Sequence, residues 1–244
     1  MSDMTFTWKG VSSADMGVQV LRLPDMIRAA RRGTTYKVPG RDGALFVDDG
    51  ALEEITLLME CYLPYDQGDK VSDMSVIREW LTGDGEFTQS DLPGMVFKAR
   101  ITDEIKYQPW VQGFADRVFG VTLYAEPYCY SDVPEYIEFS SAGGEVTNPG
   151  DAMRPVIIIE GSGDITLTVD SAKREGEYFA SFEGLTDGVL IDCDAMECLS
   201  TDRTQLLNDK TTMDEFPILE PGRNFITCTG NVERISVIAR WRWA

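Results

Sequence analysis

Ile235, Val237, Ala239, Trp241 and Trp243 alternate with Arg234, Ser236, Arg240 and Arg242. A period of two puts the apolar set on one face of an extended strand and the polar set on the other. Such a stretch folds only as a half-buried strand of a sheet. The period recurs along the chain. Ile55, Leu57, Met59 and Cys61 alternate with Glu54, Thr56 and Glu60, with Leu58 the exception. Met95, Phe97, Ala99 and Ile101 alternate with Lys98, Arg100 and Thr102, and Ile165, Leu167 and Val169 with Thr166, Thr168 and Asp170. Phe119, Val121, Leu123 and Ala125 mark a long strand, and Tyr178, Ala180 and Phe182 another. Val156–Ile159 is a continuous apolar run, as in a strand covered on both faces. Helical spacing occurs once. Val76, Ile77, Trp80 and Leu81 share one side of a helix over about 72–82, with Ser72 or Asp73 as its cap and Gly83 as its stop. The chain is therefore predicted to be mainly β.

Ser140–Val156 divides the pattern. Gly143 and Gly144 relax the backbone there, Pro149 and Pro155 restrict it, and Asn148-Pro149-Gly150 is turn chemistry. Three segments are expected: an N-terminal antiparallel β domain with one helix over 1–139, a linker over 140–147, and a β-sandwich over 148–244. A chain of 244 residues suffices for two cores. In the first domain Thr5–Trp8, Val18 with Val20, and Thr34–Val38 are short strand candidates. Val38 runs into the turn-forming Pro39-Gly40-Arg41-Asp42-Gly43. Asp103-Glu104 is placed to turn a hairpin. In the second domain Gly161-Ser162-Gly163-Asp164 is expected to reverse the chain, Asp187-Gly188 to close a hairpin before Val189, Ile191 and Cys193, and Pro221-Gly222 to begin a turn.

Composition removes several chemistries. The chain contains no histidine, so Ser–His and Cys–His nucleophile pairs and histidine-bound metals are excluded. Pro39–Gly43 lacks the Gly-Lys-Ser/Thr of a phosphate loop and no helix follows it. Cys61, Cys129, Cys193, Cys198 and Cys228 are odd in number and scattered, which predicts buried thiols in a reducing cytoplasm rather than a disulfide framework. The spacing of Cys193 and Cys198 is wrong for a metal pair, and Asp164, Asp170 and Asp187 match no Ca²⁺ loop. No enzyme, cofactor or metal site is expected. Trp241 and Trp243 suit a sugar-stacking platform in type, but the apolar face of a strand predicts them as core. Neither a signal peptide nor an apolar run near the ~20 residues of a bilayer span is visible.

With 22 basic against 41 acidic residues the net charge is −19, which opposes binding to nucleic acid or anionic lipid. Residues 1–50 hold seven Lys/Arg against six Asp/Glu, so the remainder carries −20. Arg22, Arg28, Arg31 and Arg32 cluster there. They are expected to form either a solvated loop or a basic arm that docks on the acidic surface of a neighbouring copy.

Several motifs occur in a familiar order. Gly10-Val11-Ser12-Ser13 and Asp15-Met16-Gly17-Val18 precede Val38-Pro39-Gly40-Arg41-Asp42-Gly43. Then come Asn148-Pro149-Gly150-Asp151, Arg154-Pro155, Ile159–Ile165, Ile191-Asp192-Cys193, Phe216–Leu219, Pro221–Asn224, Thr229–Val232, and finally Arg240-Trp241-Arg242-Trp243. Together they resemble the distal tail proteins of long, non-contractile-tailed phages, the siphoviruses. The resemblance spans almost the whole chain. It implies a structural virion protein, made in the host cytoplasm and located at the tail tip. Its N-terminal half would form a ring, usually a hexamer, and its C-terminal half a galectin-like β-sandwich. The implied partners are further copies of itself, the tail tube protein, the tail-associated lysin and a receptor-binding protein. The genome would pass through the ring without specific binding. The alternative is a carbohydrate-binding adhesion module acting through the sandwich.

Overall fold

A computed structural model of the chain describes residues 4–64, 70–106 and 117–244. The chain folds as two compact units, one reaching to Tyr130 and the other covering Ser131–Trp243.

The first unit holds β1 (Phe6–Trp8), β2 (Val11–Ser12), β3 (Gln19–Arg22), β4 (Arg31–Tyr36), β5 (Leu45–Leu52), β6 (Ile55–Leu63), helix α1 (Lys70–Trp80), β7 (Gly83–Gln89), β8 (Met95–Ile101) and β9 (Arg117–Ser131). Its main sheet runs in the order β2-β1-β7-β8-β9-β6-β3. The alternation read from the sequence determines which residues go inside. Ile55, Leu57, Met59 and Cys61 of β6 are buried, and antiparallel pairing with β9 matches Ile55 to Ala125 and Cys61 to Phe119. Helix α1 adds Ile77, and Leu81 just beyond it, to the core. The Trp80 ring stacks on Phe6 at 5.4 Å between centroids, and its Nε1 donates to the Trp8 carbonyl at 3.1 Å. Val76 corrects the expected stripe: it is 53% exposed, because Ile77, Trp80 and Leu81 already form the inward i, i+3, i+4 face. The helix starts two residues before the expected Ser72; the side chains of Ser72 and Asp73 lie outside the described ones. The connection that Asp103-Glu104 would close runs through 107–116, also outside the described residues.

The second unit holds β10 (Glu135–Ser140), β11 (Gly144–Asn148), β12 (Val156–Ser171), β13 (Tyr178–Leu185), β14 (Val189–Asp192), β15 (Glu197–Leu199), β16 (Thr211–Met213) and β17 (Gly222–Ala239). The two long strands β12 and β17 pair antiparallel from Val156↔Ile238 to Ser171↔Asn224. Their first half carries β10 and β14, and their second carries β11 and β13, with β16 beyond β13. Ile157, Ile159, Leu167, Val169, Ile226 and Val237 from both halves enter one core, so the bent sheet closes on itself.

Three expectations change here. Gly161–Asp164 does not reverse the chain. Irregular register between Glu160 and Gly161, and between Ser162 and Ile165, absorbs the extra residues, and β12 continues through them. Asp187-Gly188 does not close a hairpin either. β14 leaves β13 and pairs with Val156–Ile159 of β12, and Gly188 (φ 104°) passes so near the Ile159 carbonyl that a Cβ would collide with it. Residues 140–147 are not a spacer: Glu135–Ser140 and Gly144–Asn148 both pair with β17, so the first unit ends at Tyr130. Alternating residues that find a ladder partner fold with it, whatever glycines sit between them.

Candidate interaction surface

The first unit also carries a hairpin that belongs to no larger sheet. β4 and β5 pair only with each other among the described strands, in a register that sets Thr34 opposite Val47, Thr35 opposite Phe46 and Tyr36 opposite Leu45. The Glu53 N–H donates to the Ala30 carbonyl at 2.8 Å and closes its root. Pro39–Gly43, singled out in the sequence, forms the tip, where Arg41 N–H donates to the Val38 carbonyl at 3.2 Å. Every residue of β4 is exposed, and so is every residue of β5 before Ala51.

The exposed residues are apolar on both faces. Register puts Tyr36, Leu45 and Val47 on one face, 41% to 53% exposed. Phe46, 48% exposed, lies on the other, with its ring over Gly33, where any Cβ would strike it. A two-stranded hairpin is marginal alone in water, and apolar residues on both faces leave it without a core of its own.

Of the four predicted arginines, Arg31 and Arg32 begin β4 at the root of this arm and Arg22 ends β3, and these three are already engaged. Arg31 meets Asp48 at 2.6 Å, Arg32 meets Asp49 at 2.7 Å, and Arg22 meets Asp25 at 2.5 Å. The guanidinium partners, aided by backbone N–H donors from Gly50 and Ala51, hold the Asp48 and Asp49 carboxyls below the usual range. Asp49 in turn raises Arg32. Arg28 has no ion pair among the described residues. Three of the four arginines are thus paired within the chain, and the hairpin beside them exposes apolar residues. Sequence reading missed this because Leu45-Phe46-Val47 shows no alternation. The usable signal was an apolar run directly after a Gly-rich turn, facing the β-prone Thr34-Thr35-Tyr36.

A groove of about 540 Å³ lies at the arm's root, bordered by Leu52 of β5 together with Glu54, Glu86, Arg100, Tyr124 and Glu126. Arg100 pairs with Glu54 at 2.5 Å, and Tyr124 Oη donates to Asp103 at 3.0 Å, which raises the phenol's pKa. Among the described residues no cluster of His, Cys, Asp or Glu is arranged to hold a metal ion.

The remaining sequence motifs meet in the second unit. Asn148 Nδ2 donates to the Asp151 and Leu219 carbonyls, and its Oδ1 accepts the Gly150 N–H, all at 2.9 Å. Asp151 N–H donates to the Arg242 carbonyl at 2.8 Å, and Arg242 Nε to the Ala152 carbonyl at 2.7 Å. Arg240 Nε donates to the Ser131 carbonyl at 3.1 Å, and Trp241, buried, donates to Glu135 at 2.6 Å. The Asn148 turn and Arg242 are therefore clamped by two reciprocal bonds, one donated by the Asp151 N–H and one by Arg242 Nε.

No protein-family model matches the sequence, and no curated protein does. The structure does match a solved one. The Dit protein (gp 19.1) of phage SPP1, described as a paradigm of the hub adsorption apparatus in phages infecting Gram-positive bacteria, superposes with a TM-score of 0.80 over 99% of both chains at 14% identity. The fold of this chain is the fold of SPP1 Dit from end to end.

Proposed function

We propose that this protein is a structural component of a phage tail, a distal hub whose first units join into a ring. The observation that carries the reading is the match of both units, over nearly the whole of each chain, to a phage hub protein. The exposed hairpin supports the ring. A closed ring needs two different complementary patches on every copy. A hairpin with apolar residues on both faces and open backbone edges supplies one, and a neighbour's sheet edge would supply the other. The docking force is apolar burial by Tyr36, Leu45, Phe46 and Val47, with Arg28 the one arginine of the cluster left for a neighbour. The ring, a hexamer on this reading, joins the tail tube to the tip proteins, including the lysin and the receptor-binding protein, and the genome passes through it. At −19 per copy, acid on the channel wall would repel DNA phosphates and keep the genome from sticking. The protein acts without catalysis.

Native mass spectrometry of the purified chain tests the assembly. The expected result is one closed oligomer, converted to monomer by Tyr36→Ser with Phe46→Ser while the circular dichroism spectrum is kept. A ring that survives both changes removes the hairpin from the interface. A chain monomeric at every concentration removes self-assembly.

A further inference from the structure

We propose that Asp42-Gly43, at the tip of the β4–β5 hairpin, is a site of spontaneous covalent modification, where the aspartyl linkage converts to isoaspartyl. This is chemistry of the tip itself and does not rest on the ring. Asp-Gly occurs four times, at Asp42-Gly43, Asp49-Gly50, Asp84-Gly85 and Asp187-Gly188, and Asn-Gly not at all. The dipeptide is reactive because glycine has no Cβ to shield its amide nitrogen or to restrict the turn of the chain toward the acid. Which of the four can react is decided by what holds each one.

The Gly43 amide nitrogen attacks Cγ of Asp42 in its neutral acid form. The carboxyl OH leaves with the amide proton as water, and a five-membered succinimide closes. Water then adds to one of the two ring carbonyls. Breaking the bond from nitrogen to Cγ restores aspartate. Breaking the bond from nitrogen to the α-carbonyl carbon leaves the main chain running through Cβ and Cγ. One water is lost and one gained, so mass and charge are kept and no co-reactant is needed.

Closure requires the peptide unit between the two residues to rotate until its nitrogen faces Cγ, so both groups must be unheld. Three pairs fail this condition. The Gly50 N–H donates to Asp48 Oδ1 at 2.8 Å, while Asp49 accepts from the Ala51 N–H and pairs with Arg32. Asp84 and Gly85 lie in the β7–β8 ladder opposite Arg100 and Ala99, with the Lys9 side chain over Gly85. Gly188 is buried against the Ile159 carbonyl. Asp42 and Gly43 lie beyond the last ladder pair, Tyr36↔Leu45, and both are exposed. No described residue bonds to the Asp42 carboxyl or the Gly43 N–H, and the space beside Gly43 is open. The product carries one more main-chain carbon two residues before Leu45, so conversion should loosen that end of the arm.

The test ages the full-length chain at pH 5 and 37 °C, with a guanidinium-unfolded sample beside it. Digested peptides are followed by chromatography with electron-transfer fragmentation, which separates isoaspartate from aspartate. In the native protein Asp42 should convert at least about tenfold faster than Asp49, Asp84 or Asp187, because those three must first open locally. In guanidinium the four rates should converge. Asp42→Glu, which would have to close a six-membered ring, should lower methyl acceptance from an isoaspartyl methyltransferase about tenfold with the circular dichroism spectrum kept. A neighbour docked on the arm would shield the tip, so the chain carrying Tyr36→Ser and Phe46→Ser is aged in parallel. Conversion at Asp42 no faster than at Asp84 and Asp187 in both chains overturns the proposal. Methyl acceptance undiminished in Asp42→Glu overturns it as well.

Discussion

Desolvation governs the cysteines. Burial pushes the thiols of Cys61 and Cys228 up to about 12, and those of Cys193 and Cys198 also upward. The thiolate is the reacting form, so these groups are inert while the fold holds. Ellman's reagent at pH 8 should label them slowly in the native protein and completely in guanidinium; rapid native labelling would contradict their burial. Asn224 shows the opposite case, a buried polar group fully used. Its Nδ2 donates to the Glu220 and Gly222 carbonyls at 2.9 and 3.0 Å and its Oδ1 accepts the Glu220 N–H at 2.9 Å, which fixes the entry to β17. Asn224→Ala strands those backbone groups in the interior and should cost about 2–3 kcal/mol in a denaturant titration.

At the scale of elements, the hairpin and the long strands differ in what holds them. β4 and β5 have their own ladder and two exposed ion pairs, whereas β6 and β9 have a core beneath them. In the isolated chain, hairpin amides should therefore exchange with deuterium well before those of β6. Acid should loosen the arm first. The folded-state values of Asp48 and Asp49 are lowered, so their contribution is complete above the ordinary carboxylate pKa and is lost as pH falls through the lowered values. NMR shifts of Gly33 and Val47 should move in that range while β6 signals stay fixed. β12 and β14 depend on close backbone approach. Gly188→Ala meets both a positive φ and the Ile159 carbonyl, and a loss of about 1–3 kcal/mol is expected in the unfolding midpoint.

For the whole molecule the deciding quantity is the net charge of −19. Copies gathered in a ring repel one another, and salt screens that repulsion. If arginine pairing between copies drove assembly, salt would dissolve the ring. If apolar burial of the hairpin drives it, the ring should persist or strengthen as ionic strength rises. Light scattering across a salt series separates the two, and dissociation at high salt would return the arginines to the interface.

The sequence by itself determined which side of most strands faces inward. A period of two survives in Ile55–Cys61, Ile165–Val169 and Ile235–Trp243 because one face of each meets a core and the other meets water. It also marked Pro39–Gly43 and Asn148-Pro149-Gly150 as turns. Tertiary structure decided what pairs with what. Leu45–Val47 lacks alternation because no core lies beneath its hairpin, and Glu135–Ser140 places only Ile137 and Phe139 on the core, too few to stand out beside the glycines that follow, so both read as connection. The bend of β12 and the crossing of β14 to its far half depend on partners tens of residues away, to which a local pattern is blind. The same holds for the clamp between Asn148 and Arg242 and for the paired arginines. Each is a juxtaposition made by register across strands, and no spacing along a single strand encodes it.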